Sequence, residues 1–165
     1  MVSRGHCSIY CGKGKVEKTV ETISKIFTNK ALVIPALAWL TAQMIKLVTS
    51  LITDKRIYLS KLVSSGGMPS AHTTFVTSLA VLIGKNVGWD SVEFAIVCSI
   101  AFIVMHDATG VRQAAGKHAK MLNSLVSTHY PGDEFNEKLK ELLGHKPLEV
   151  FVGAIMGTII GLLLG

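Results

Sequence analysis

The chain has 165 residues, one domain by length, with 49% hydrophobic and 17% charged side chains, against about 25% charged in an ordinary soluble domain. That hydrophobicity excludes disorder, which needs a chain too polar to bury a core, and the mean hydropathy of +0.45 points the same way. The net charge of +6 is scattered between apolar runs rather than along one polar face, which sets nucleic acid aside and leaves anionic headgroups or an anionic substrate as partners.

Residues 1–28 form a basic segment in which Val16, Val20, Ile23, Ile26 and Phe27 recur at helical spacing. This predicts a short amphipathic helix that lies on the membrane surface or packs on the rest of the protein. The segment lacks the continuous apolar stretch and small-residue cleavage site of a secretory signal. Gly12-Lys13-Gly14-Lys15 lacks the spacing and terminal hydroxyl residue of a phosphate-binding P-loop. Cys7 and Cys11 have no second pair to complete a metal clip, and with Cys98 they read as free thiols.

Residues 29–165 read as one membrane-embedded domain. Asn29 is set to cap an apolar helix over 31–53, long enough to cross a bilayer, with Gln43 and Lys46 on one face. Asp54-Lys55-Arg56 ends it. After a turn at Gly66-Gly67, Pro69 suits the first turn of a second apolar run, which Gly88 stops. Asp90-Ser91 caps a third run over 92–105, which continues as helix through His106-Asp107-Ala108 towards Asn123. Pro131-Gly132-Asp133 reads as a turn. Residues 134–143 read as a short amphipathic helix with Phe135, Leu139, Leu142 and Leu143 on one side. The last run, 148–164, repeats glycine at 153, 157 and 161, the spacing that lets membrane helices approach closely, and so offers a surface for a homo-oligomer. The expected fold is all-α, an integral membrane bundle of about four transmembrane helices plus the amphipathic N-terminal helix. Because the second and third runs fall short of the roughly 20 residues of a crossing, a soluble helical bundle is the alternative.

Four crossings would put the loop after the first run and the loop after the third on one side. Lys55, Arg56, the segment 66–72, the segment 107–120 and the segment 144–149 would then gather at one membrane face. Both sides carry comparable Lys and Arg, so the charges do not fix which face it is.

Three of these segments could carry chemistry. In Gly66-Gly67-Met68-Pro69-Ser70-Ala71-His72, a glycine turn feeds a helix start, whose N–H groups and dipole suit an anion. Ser70 adds a hydroxyl and His72 a proton-exchanging group; the plainer reading is a capped helix with a solvent-facing histidine. In Gly144-His145-Lys146-Pro147-Leu148-Glu149, a histidine and an acid four residues apart share a helix face, so Glu149 can hold one ring nitrogen of His145 and leave the other for attack. The plainer reading is a helix-start histidine with a capping glutamate. In Asp107-Ala108-Thr109-Gly110-Val111-Arg112, followed by Gln113, Gly116, Lys117 and His118, charges end an apolar run, where unpaired charge is costly and marks a site. Arg112 could grip a phosphate or merely pair with Asp107. Lys46, inside a crossing run, must likewise find an anion, water or the interface. His106 and His118 have no third ligand at sensible spacing, so no metal or other cofactor is expected.

Together, Gly-Gly-Met-Pro-Ser-Ala-His, Asp-Ala-Thr-Gly-Val-Arg-Gln-Ala-Ala-Gly-Lys and Leu-Gly-His-Lys-Pro-Leu-Glu-Val-Phe-x-Gly, with the opening Ala38-Trp39-Leu40-x-Ala42-Gln43-x-x-Lys46, resemble the divergent branch of the type-2 phosphatidic acid phosphatase and vanadium haloperoxidase superfamily. The resemblance covers residues 29–165. It implies a phosphate-binding Ser70, a general acid at His72, a nucleophile at His145 and an orienting acid at Glu149, with Lys46 and Arg112 holding phosphate and Arg56, Asp107 and Lys117 in support. Ala71 replaces the superfamily's glycine and Glu149 its aspartate. The Lys-to-Arg-Pro motif is absent, and Leu139 stands where the arginine of a Ser-Arg dipeptide would be. The implied function is a metal-independent membrane phosphatase acting on a phosphorylated lipid. The alternative is a non-catalytic membrane protein that keeps the fold as a headgroup binder or assembly partner.

Overall fold

Six helices follow one another in the computed structural model, which describes residues 7–54, 67–129, 138–141 and 143–165. They are α1 (Cys7–Thr28), α2 (Lys30–Asp54), α3 (Ala71–Asn86), α4 (Val92–Thr109), α5 (Val111–His129) and α6 (Pro147–Leu164). No strand occurs among the described residues. The side chains of residues 7–17, including Cys7 and Cys11, and the loop holding Lys55 and Arg56 lie outside them.

Three stretches are long and apolar enough to cross a bilayer: Lys30–Ile52, Val92–Thr128 and Pro147–Leu164. Leu37, Leu40, Met44 and Val48 on α2, Ile96, Ile100 and Ile103 on α4, and Phe151, Ile155 and Ile159 on α6 all face outward. An exposed apolar belt of that extent is a liability in water and the wetted surface in lipid. The protein is therefore an integral membrane protein, and the soluble bundle is set aside. The expected count of about four crossings is refined, because α3 has only 16 residues. It packs among α2, α4 and α6, so its length need not match the bilayer.

Residue size explains how α3 is enclosed. Gly153, Gly157 and Gly161 of α6 lie against Ser70, Thr74 and Ser78 of α3, and Gly165 lies against Leu82. The constant offset means that the two helices run parallel, small residue on small residue. A Cβ on Gly153 would sit 2.6 Å from the Ser70 carbonyl oxygen, and one on Gly161 2.8 Å from that of Ser78. Close approach lets Thr74 donate through Oγ1 to the Gly153 carbonyl at 3.1 Å. The glycine edge expected to serve a homo-oligomer is thus covered by α3 of the same chain. α3 also packs against α2, on which the buried residues Ile34, Ala38, Ala42 and Lys46 recur every fourth position.

The far end is closed by the α3–α4 turn. Gly88 there has φ +127°, Ser91 caps α4 by accepting from the Phe94 N–H at 3.2 Å, and Lys85 donates to the Leu162 carbonyl at 2.9 Å. The helix expected to run unbroken from residue 92 towards Asn123 instead breaks at Gly110, with φ −108° and ψ −82°, and resumes as α5; glycine is the weakest holder of a helix after proline. Pro69 was expected inside the first turn of the second run, yet that helix begins at Ala71 with Ser70 as its cap.

A further correction falls at 134–143. Residues 138–141 are not helical. Asn123 of α5 takes both backbone groups of Leu139, accepting at 3.0 Å and donating at 2.8 Å. This segment lies so close on α5 that a Cβ at Gly116 would meet the Glu141 carbonyl oxygen at 2.6 Å. The rest of that expected helix, 134–137 and Leu142, and the Pro131 turn lie outside the described residues. At the N-terminus the amphipathic helix is present as α1, with Val20, Ile23 and Phe27 exposed rather than packed on the bundle.

Candidate functional site at the polar mouth

The end of α2, the start of α3, the α4–α5 junction and the start of α6 meet at one end of the bundle. Backbone contacts tie them together: the Ser70 N–H donates to the Glu149 carbonyl at 3.1 Å, and the His145 N–H donates to the Ala108 carbonyl at 2.9 Å. Gly67 lies so near Lys46 that a Cβ would be 2.9 Å from its Cε.

His145 is held at this mouth through both its backbone and its ring. Gly144 turns the chain at φ +86°, and a Cβ there would lie 2.7 Å from the Gln113 nitrogen, so both sterics and backbone conformation favour glycine. Gln113 then donates through Nε2 to the His145 carbonyl at 2.6 Å. One turn on, the Glu149 carboxylate accepts the Lys146 N–H at 3.3 Å, completing the helix start, and meets His145 Nδ1 at 2.9 Å. The His145 side chain is 4% exposed and that of Glu149 16%. A carboxylate accepts, so Nδ1 donates and the ring's lone pair falls on Nε2.

His72 is the second residue of α3, at the mouth and outside the three spanning stretches. It is exposed at the surface, but partial burial strips water from the ring and lowers its pKa below the usual 6.5. The charges of Arg112, His145 and Lys46 lower it further, which also means that four cationic or proton-binding side chains share one neighbourhood. Lys46 is buried at 6% exposure. Arg112 donates through Nε to Asp107 Oδ2 at 2.6 Å, using one of its five N–H groups.

The other expected residues are placed differently. Ser70 is fully buried, and its hydroxyl caps α3 and bonds to Thr73 Oγ1 at 2.9 Å. A phosphate at this point would meet the helix-start N–H groups rather than an outward hydroxyl. Lys117 is exposed on α5 and is not among the charges acting on His72. Arg56 lies outside the described residues. Among the described residues, no three His, Cys, Asp or Glu side chains are placed to hold one metal ion. Sequence reading gave no role to Gln113 or Ala108, which fix the His145 backbone; the only signal was their presence in the Asp107–Lys117 motif.

These features define a helical membrane protein with a histidine–glutamate pair set in a cationic mouth. The chain belongs to the divergent PAP2 family, whose model matches residues 27–160. It is similar to the uncharacterized membrane protein YuiD of Bacillus subtilis (strain 168), with 38% identity over 152 residues, covering 85% of this chain and 96% of that relative. No solved structure matches.

Proposed function

We propose that the protein is a metal-independent membrane phosphatase that hydrolyses a phosphorylated lipid. The observation that carries this reading is the 2.9 Å contact between His145 Nδ1 and Glu149 in the neighbourhood of Lys46 and Arg112. His145 Nε2 attacks phosphorus, forming an N–P bond as the bond to the lipid oxygen breaks. His72 in its protonated form gives that oxygen its proton. Water then attacks the phosphohistidine, His72 takes the water's proton, and inorganic phosphate leaves. Lys46, Arg112 and the N–H groups at the start of α3 stabilise the charge on the equatorial oxygens, the main burden of phosphoryl transfer. Family membership supports the reading, and kinship with vanadium haloperoxidases belongs to the same proposal.

A second reading, a headgroup binder without turnover, is favoured by the buried, cap-bound hydroxyl of Ser70 and by Leu139 in place of the superfamily's arginine. Phosphate release by the purified protein across a panel of lipid phosphates separates the two. The phosphatase is expected to release phosphate in EDTA and to be inhibited by vanadate, which mimics pentacoordinate phosphorus. Release that survives His145→Ala, or that EDTA abolishes, would refute the histidine route.

A further inference from the structure

A cavity of about 320 Å³ opens beside His72, lined by Trp39 of α2, His72, Phe75 and Val76 of α3, and Val104 of α4. His72 is the one titratable side chain in this wall and stands at the mouth end. Phe75 and Val76 lie about one turn inward on α3, and Trp39 lies seven residues inward from Lys46, about 10 Å along α2. The cavity therefore begins at the cationic mouth and becomes apolar with depth. Two of its walls, α2 and α4, carry lipid-facing residues next to the lining ones, Leu40 beside Trp39 and Ile103 beside Val104.

We infer that this cavity receives the single hydrocarbon chain of a phosphorylated amphiphile, which lies between α2, α3 and α4 with its phosphate at the mouth. Its volume is at the lower end of the roughly 300–1,000 Å³ of ligand pockets, room for one chain and not two. Apart from the indole N–H of Trp39, its deeper walls present only apolar side chains, so burying a sugar or polyol there would leave most of its hydroxyls unsatisfied. The anionic end is matched by Lys46, Arg112 and His72, and the apolar end by Trp39, Phe75 and Val104. The inference rests on reading the mouth as a phosphate site and adds what lies beyond the phosphate.

The test uses non-hydrolysable alkyl phosphonates with brominated chains, which quench tryptophan on contact. The chain has two tryptophans, so a Trp89→Phe variant isolates Trp39; should it fail to fold, the unaltered protein is compared with Val104→Phe. Quenching of Trp39 is expected to tighten with each added methylene until the cavity is full, by at most about fourfold per methylene, the value for transfer from water. Val104→Phe should abolish that dependence. A two-chain phosphonate, or a brominated alcohol of equal length, should bind at least tenfold more weakly. Phosphate release from alkyl phosphates is followed in parallel. Chain-dependent quenching without turnover would uphold the cavity and remove the phosphatase reading. Turnover with no quenching and no chain-length dependence would uphold the phosphatase and overturn the cavity. Equal quenching by the alcohol or by the two-chain compound would also overturn it.

Discussion

His145 is aimed from three directions: the Ala108 carbonyl and Gln113 Nε2 hold its backbone, and Glu149 holds its ring. Replacing the ring and replacing its orienting acid should therefore differ. His145→Ala is expected to remove phosphate release, whereas Glu149→Gln should leave a measurable residue. The drop should not exceed about 10⁴-fold, the loss seen when the orienting acid of a serine-protease triad is amidated. Glutamine can still close the helix start, so circular dichroism should show Glu149→Gln folded, and the same measurement on His145→Ala separates loss of the ring from loss of the fold. His72 gives a pH signature with a definite sign. Its pKa is lowered, and the leaving oxygen needs its protonated form, so kcat/KM is expected to fall as pH rises through a value below 6.5. Arg112→Gln removes one of the charges responsible and should move that limb to higher pH. A limb that stays put in Arg112→Gln would detach His72 from the acid role.

The α3–α6 pair is the seam on which the mouth is built, since Ser70 and Glu149 meet at its upper end. A side chain at Gly157 would run into Thr77 Oγ1 and the Thr74 carbonyl. Gly157→Val is expected to destabilise the detergent-solubilised protein by about 1–3 kcal/mol, the usual cost of overpacking. Ala36→Val on the exposed face of α2 should stay within about 0.5 kcal/mol; equal unfolding midpoints for the two variants would contradict the seam. The glycine repeat was legible in the sequence as a close-approach edge, but its partner was not. Spacing alone does not distinguish a helix of the same chain from that of another copy. Ser70 shows a similar limit, because one hydroxyl suits a helix cap and a phosphate equally well until burial is known. At 138–141 apolar spacing read as a helix, while Asn123, sixteen residues away from Leu139, captured the backbone. Such long-range capture leaves no local trace.

At the scale of the whole molecule, the outward apolar belt of α2, α4 and α6 predicts behaviour in the cell. The protein should stay with membranes through alkaline carbonate and need detergent for release, as followed by blotting of the fractions. Recovery in the soluble fraction would contradict the belt. The gathering of polar segments at one end was legible because alternate loops of a membrane bundle return to the same side. His145 and Glu149 were expected to share a helix face, but His145 precedes the Lys146 cap of α6, and the contact forms because the first-turn Glu149 reaches back to the cap. What escaped was the enclosure of α3 among its neighbours, which depends on packing rather than on composition, and the structural roles of Gln113 and Ala108. The central claim is that His145 forms a bond to phosphorus, and trapping that bond tests it most directly. Protein quenched during turnover of a ³²P-labelled lipid phosphate should carry an acid-labile, alkali-stable label on the peptide containing His145. The label should be absent from His145→Ala. Turnover with no label there, or a label that persists in His145→Ala, would contradict the account.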